Sequence, residues 1–107
     1  MKPMKEITAQ ELAHAIENKE SFTLLDVREP YEYEIGHLDC THIPMGEIPS
    51  RANELDNTKT TYVICRSGKR AEAIANFLCA NHDFRDIAII TGGVTAYAEE
   101  VDQSIEV

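Results

Sequence analysis

Positive charge is scarce in this chain. Among its 107 residues stand 10 Lys and Arg against 19 Asp and Glu, a formal net charge of -9. Nucleic acid wants a basic face, and an anionic membrane surface wants a polybasic segment. Neither is offered, so no nucleic acid and no membrane are expected as partners. Long apolar runs are also missing. No stretch approaches the ~20 apolar residues of a membrane span. The opening Met1-Lys2-Pro3-Met4-Lys5-Glu6 lacks the apolar core of a signal peptide, so a cytoplasmic location is expected. Cysteine is sparse and odd in number, and Cys40, Cys65 and Cys79 show no short paired spacing. That excludes a disulfide framework and a zinc site built on cysteine pairs. It fits a reduced compartment with one working thiol; no metal and no cofactor are expected. There is no repeat, no low-complexity tract and no linker, and the length suits one domain over residues 1–107.

What positive charge exists is concentrated. Thr61-Tyr-Val-Ile64 is a β-branched and aromatic run that reads as a buried strand. Apolar residues at 71, 74, 75 and 78 mark one face of a helix. Between them run Cys65, Arg66, Ser67, Gly68, Lys69 and Arg70. A strand that passes into a helix through so short a loop aims backbone N–H groups at whatever stands before the helix. The helix N-terminus adds about half a positive charge there. Such surroundings favour a thiolate over a thiol. The plain alternative for Cys65 is a small buried hydrophobe at a strand end. Three cations do not serve that alternative, because burying them without an anion is costly. The loop is read as the seat of a thiolate, an anionic substrate, or both.

Cys65-Arg-Ser-Gly-Lys-Arg70 resembles the active-site loop of rhodanese-like sulfurtransferases, a cysteine followed by four residues and an arginine. Three more segments resemble the family's signatures in the family's order. They are Leu25-Asp-Val-Arg-Glu-Pro-Tyr-Glu-Tyr33 with Gly36-His-Leu38, then Ile43-Pro-Met-Gly-Glu-Ile-Pro49, then Gly92-Gly-Val-Thr-Ala-Tyr97. The resemblance implies an α/β, rhodanese-like fold with a central parallel sheet and helices on both faces. It implies Cys65 as the catalytic nucleophile and Arg66, Ser67, Gly68, Lys69 and Arg70 as the substrate-binding loop. Asp26, Arg28 and His37 are implied as support around it. Arg28 can bridge Glu29, Glu32 or Asp26. His37 can act as a base or donate one hydrogen bond to a backbone carbonyl. Exchange between sulfur anions needs no strong base, which favours the second role.

The chain departs from the family's pattern at three places. Asp39-Cys40-Thr41 replaces a Gly-Ala and is one residue shorter, Ala71 stands where serine is frequent, and Tyr97 where tryptophan is usual. Segments 25–51 and 65–107 look like the rhodanese domains appended to enzymes that activate ubiquitin-like sulfur carriers. The implied partners are thiosulfate or a persulfide as donor, and a thiol or cyanide as acceptor, with a sulfur-carrier protein among the candidates.

Along the chain, Thr8 reads as the cap of a first helix with Glu11 completing a capping box. Leu12, Ala15 and Ile16 form that helix's buried stripe, with His14 facing solvent. Ser21 to Val27 reads as a strand. Pro30 opens a short helix that Gly36 ends. A strand is expected over 39–44, then a short helix over 45–51 interrupted by Pro49, then a surface connection over 53–59. Cys40 is either a resolving thiol near Cys65 or a packed side chain. Cys79 reads as packing and His82 as exposed. Ile87-Ala-Ile-Ile90 reads as a buried strand. Gly92-Gly93 reads as a tight turn packed on the active loop. Strands alternating with helices give an α/β domain with the loop at a strand's carboxyl end.

Two chemistries use a cysteine at such a place. Phosphate-ester hydrolysis, with its arsenate-reductase relatives, resembles His-Cys-x5-Arg. This chain has Ile64 before the cysteine and only four residues before Arg70. That smaller loop suits one terminal sulfur, and no residue stands out as the acid a leaving alkoxide needs. Sulfur transfer through a Cys65 persulfide is the reading adopted. Its rival from another class is a binding module with no turnover.

Overall fold

The computed structural model describes residues 4–107. Strands β1 (Glu6–Ile7), β2 (Thr23–Asp26), β3 (Thr41–His42), β4 (Thr61–Ile64) and β5 (Ile87–Ile90) form one sheet. Every pairing is parallel, and the spatial order is β1-β5-β4-β2-β3. The helices are α1 (Ala9–Glu17), α2 (Pro30–Ile35), α3 (Ile48–Arg51), α4 (Lys69–His82) and α5 (Gly93–Glu100). The expected α/β architecture, with a central parallel sheet and helices on both faces, is the one found.

The strands read as apolar because both faces are covered. On one face Leu25, Val63, Cys65, Ile87 and Ile89 pack with Ile74, Ala75 and Leu78 of α4 and Ile48 of α3. On the other face Leu24, Ile64 and Ile90 pack with Leu12 of α1 and Val94 and Tyr97 of α5. The ring at Tyr97, in the place of a tryptophan, lies buried in that second layer.

The topology fixes where a ligand belongs. Asp26 pairs with Ile64, so β2 and β4 end level with each other. From β4 the chain moves through α4 to β5 on one side; from β2 it moves through α2 to β3 on the other. The crevice between those two carboxyl ends is the switch point at which open α/β sheets bind ligands.

Several local expectations need correction. Thr8 and Glu11 do form a capping box, and His14 is exposed. Ile16, however, is 42% exposed, because the last turn of α1 overhangs an open groove instead of the sheet. β1 was not anticipated, since two residues carry no readable period. Pro49 does not interrupt a helix. A 3-10 turn over Met45–Glu47 gives way to α3, and Pro49 occupies its first turn, where a missing N–H costs nothing. A second 3-10 turn over Ala52–Glu54 takes up part of the expected surface connection. Cys79 is exposed, one step off the α4 stripe of Ala71, Ile74, Ala75 and Leu78. His82 is half-buried with its ring 5.3 Å from Phe77.

Candidate functional site

Cys65 is the first residue past β4 and only 1% exposed. Its side chain falls on the α4 face of the sheet, so the thiol lies against the first turn of that helix. Gly68 caps α4 with φ 117°, a conformation that a Cβ would strain. This turns the chain back over the sulfur within three residues. The Gly68 N–H donates to Sγ at 3.0 Å and the Ala71 N–H at 3.4 Å. Ala71 N–H belongs to the first helical turn, where backbone donors lack a carbonyl four residues earlier. The sulfur takes that orphan donor. Gly68 belongs to the loop read as substrate-binding; the second donor lies just past it, at the third helical position.

The same loop is braced from behind by α5. Val94 N–H donates to the Cys65 carbonyl at 2.8 Å and Thr95 N–H to the Arg66 carbonyl at 3.2 Å. Gly93 makes this approach possible. A Cβ there would stand 2.2 Å from the Cys65 oxygen and 2.6 Å from the Arg66 oxygen, and its φ is 60°. The Gly92-Gly93 turn therefore does pack on the loop, as its composition suggested.

The loop's cations divide into two kinds. Arg66, Ser67 and Lys69 are exposed at its rim. Arg70 turns toward α2, where its two terminal nitrogens donate to Glu32 at 2.6 and 2.9 Å. That clasp and the neighbouring Glu29 N–H hold the Glu32 carboxyl down to about 2, with the Arg70 hydrogen bonds as the main cause. Glu32 was considered as a partner for Arg28. Its carboxylate goes to Arg70 instead, and only its backbone carbonyl accepts from Arg28, at 3.3 Å.

Arg28 and Asp26 are both buried. Asp26 accepts from the Arg28 Nε at 3.0 and 3.1 Å, from Nη2 at 2.8 Å and from the backbone N–H at 2.9 Å. Nη2 also donates to the Gly36 carbonyl at 2.8 Å. The guanidinium thus ties the end of β2 to both ends of α2. Removing one partner of such a pair leaves a buried unpaired charge, at a cost of about 3–5 kcal/mol.

His37 donates from Nδ1 to the Tyr33 carbonyl at 2.7 Å, the second of its two foreseen roles. Its ring stacks on Tyr33 at 3.8 Å, and Tyr33 stacks in turn on His42 at 4.1 Å. His42 reaches back to the Arg28 carbonyl at 2.8 Å. This three-ring pile was not foreseen, since residues 33, 37 and 42 fit no single helical or strand period. No hydrogen bond joins His37 to residues 65–70 among the described residues. Cys40 packs with the α1 and α5 layer, on the opposite face of the sheet from Cys65. Burial, and then the Asp26 charge, push its thiol up to about 12. It does not meet Cys65 as a resolving thiol would.

A cleft of about 120 Å³ adjoins the loop, lined by Arg28, Tyr31, Glu32, Ile35, Arg66 and Val107. A larger open groove, about 890 Å³, runs past Cys40, Leu38 and Ile105. The larger one contains no loop residue; the smaller is lined by Arg66 of the loop but not by Cys65. No cluster of metal-ligating side chains occurs among the described residues, and no helix among them is long and apolar enough to cross a membrane.

Comparison with known proteins agrees with the fold. The family model for the rhodanese-like domain matches residues 8–100. A Bacillus subtilis protein, YrkF, named as a candidate sulfur carrier, is 44% identical over 71 residues. That match takes in 65% of this chain but only 38% of YrkF. YtwF of the same organism, named as a candidate sulfurtransferase, is 36% identical over 98 residues, covering 91% of this chain and 93% of its own. The crystal structure of a rhodanese-related protein from Thermoplasma volcanium superposes with a TM-score of 0.81 at 32% identity. It covers 91% of this chain and 93% of that one.

Proposed function

The chain belongs to the rhodanese-like domain family, and we propose that it transfers sulfur through a persulfide on Cys65. The observation that carries this is the seat of Sγ, with two backbone N–H groups at 3.0 and 3.4 Å at the start of α4. Donors aimed at a sulfur stabilise negative charge on it, as an oxyanion hole does for oxygen. They serve the thiolate first and a terminal sulfur anion after it.

Transfer runs in two half-steps. The Cys65 thiolate attacks the outer sulfur of thiosulfate or of a donor persulfide. A new S–S bond forms, the donor's S–S bond breaks, and its electron pair leaves on sulfite or on a thiolate. An acceptor thiolate or cyanide then attacks the outer sulfur of the persulfide, and Cys65 leaves as the thiolate. Arg66 and Lys69 at the rim meet the anionic end of the donor, Ser67 and Gly68 shape the turn, and Arg70 closes the loop. Asp26 and Arg28 hold α2 against it. The names of YrkF and YtwF support sulfur transfer in general; a sulfur-carrier protein is the acceptor class we favour. Phosphatase chemistry fits less well, because Glu32, the carboxylate joined to the loop through Arg70, is ionised far below neutrality. It cannot supply a proton to a leaving alkoxide.

The test is intact-mass spectrometry after incubation with thiosulfate or a low-molecular-weight persulfide, on wild type and Cys65→Ser. We expect a gain of one sulfur that cyanide removes and the variant never shows. Loading from the persulfide alone would identify a relay. Loading from neither donor would leave the binding-module reading in its place.

A further inference from the structure

The sulfur-transfer reading leaves open which donors the loop prefers, and the inference here rests on that reading. The loop's three cations are not equivalent. Arg66 and Lys69 are exposed, and neither joins any ion pair among the described residues. Solvent and salt screen such charges strongly. Arg70 is more sheltered, with its side chain one-third exposed at 33%. It also lies close enough to Cys65 for a thiolate there to act on it. This is the cation whose charge an incoming anion would feel with least screening.

Glu32 cancels that charge. Its carboxylate is 12% exposed and meets Arg70 with both oxygens, at 2.6 and 2.9 Å. It cannot swing away freely. The Glu29 N–H donates to the same Oε1 at 3.1 Å, and the buried Arg28 holds the Glu32 carbonyl at 3.3 Å. Moving the carboxylate breaks the capping box at the start of α2. Glu32 and Arg66 both line the small cleft beside the loop, so an anion placed there meets a fixed negative group as well as a cation.

We propose that Glu32 sets donor selectivity: by neutralising Arg70 beside Cys65, it disfavours the thiosulfate dianion and favours donors that bring one negative charge or none, as a persulfide does. Both donors deliver the same atom. From thiosulfate the outer sulfur bonds to Cys65 and sulfite leaves with the pair; from a persulfide the outer sulfur bonds likewise and a thiolate leaves. The donors differ in charge at the loop, and that difference is what Glu32 reads.

The experiment uses two pairs of probes matched in shape and different by one charge. Thiosulfate is paired with methanethiosulfonate, a monoanion that gives up its outer sulfur and departs as methanesulfinate. Iodoacetate is paired with iodoacetamide, with alkylation followed at Cys65 by peptide mass mapping. In Glu32→Gln the amide oxygen still accepts from Arg70 and from the Glu29 N–H, so α2 is kept. We expect the thiosulfate to methanethiosulfonate ratio of kcat/KM to rise about fivefold to tenfold, the effect of one unit charge at about 3–4 Å under water-like screening. The iodoacetate to iodoacetamide ratio should rise in parallel, and both increases should shrink at high salt. Glu32→Asp keeps the charge and should keep ratios near those of the wild type. A purely structural Glu32 would slow both members of each pair alike and leave the ratios fixed; that result overturns the proposal. A wild type that neither sulfur donor loads overturns the sulfur-transfer reading itself, and donor selectivity falls with it.

Discussion

Replacing Gly93 with alanine tests whether α5 holds the active loop or merely covers the sheet. The backbone at this position has φ 60°, and the new Cβ would lie 2.2 Å from the Cys65 oxygen and 2.6 Å from the Arg66 oxygen. Two costs follow. Holding a residue with a Cβ in the left-handed region costs about 1–2 kcal/mol. Relieving the clash requires the loop and α5 to part by ~1 Å, which breaks hydrogen bonds of 2.8 and 3.2 Å from Val94 and Thr95, each worth about 1 kcal/mol. Together the loss of stability should reach about 3 kcal/mol. Parting by ~1 Å also misplaces the donors aimed at Sγ, which can cost on the order of 10² in rate. Gly92→Ala is the companion variant. Its φ is 75°, so the backbone strain is similar, but its Cβ would meet Ala96 within the same helix and nothing in the loop. Gly46→Ala, with nothing within 4 Å of its Cβ, controls for the substitution itself. Urea unfolding gives the stabilities, and intact mass after a short exposure to a sulfur donor gives the loading rate. Gly92→Ala should lose stability and still load near the wild-type rate, whereas Gly93→Ala should lose both. If Gly93→Ala loads Cys65 as fast as the wild type, α5 does not position the loop and the reasoning fails.

The ion pairs and the other thiols give further expectations. Arg28→Ala leaves the buried Asp26 carboxylate without its partner and should cost about 3–5 kcal/mol in a urea titration. Arg28→Lys should recover little of this, since one ammonium cannot reach Asp26 and the Glu32 and Gly36 carbonyls together. Glu32 has its carboxyl lowered to about 2, so the pair with Arg70 contributes fully above the unfolded carboxylate range and is lost as pH falls toward 2. Stability of the wild type should therefore drop between about pH 5 and pH 2 by more than that of Glu32→Gln, as read by thermal unfolding across that window. At pH 8 Cys79, exposed on α4, should be alkylated by iodoacetamide well before Cys40, whose thiol is pushed up to about 12; peptide mapping over time settles the order.

The fold was legible where the chain repeats a period, and the site where residues crowd in sequence. Thr61 to Ile64 and Ile87 to Ile90 have no polar side, and they are the strands covered on both faces. Ala71, Ile74, Ala75 and Leu78 keep the helical period and are the α4 residues that bury. The loop from Cys65 to Arg70 could be read whole because strand, turn and helix follow one another without a gap. What escaped involves partners far apart in sequence. Arg70 meets Glu32 from 38 positions away, and nothing in the composition of either segment says that the first turn of α2 faces the first turn of α4. The Tyr33, His37 and His42 pile joins a helix, a loop and an edge strand. Cys79 sits next to Leu78 yet points outward, because the apolar stripe of α4 is narrower than its composition suggests.

The parts around Cys65 bear on how a buried cysteine could serve the proposed sulfur transfer. Its side chain packs in the apolar layer with Ile74 and Ala75 of α4, but the hydrogen bonds to the sulfur come from backbone. Gly68 and Ala71 offer N–H groups to Sγ, and Val94 and Thr95 offer theirs to the carbonyls on either side of the loop's first bend. The two donors to Sγ, fixed at the start of α4, need not reorganise as charge moves onto the sulfur, because they are already aimed where that charge will be. Apolar neighbours penalise a buried thiolate by desolvation, and these donors act against that penalty. Charged side chains enter at the rim, where Arg66 and Lys69 face solvent and Arg70 is matched by Glu32. The division assigns stabilisation of the sulfur to atoms that no substitution of a side chain removes directly, and choice of donor to atoms that substitution can tune. Changes at 66, 69, 70 and 32 should therefore alter which donors are used, while changes at 68 and 93 should alter whether the sulfur is loaded at all.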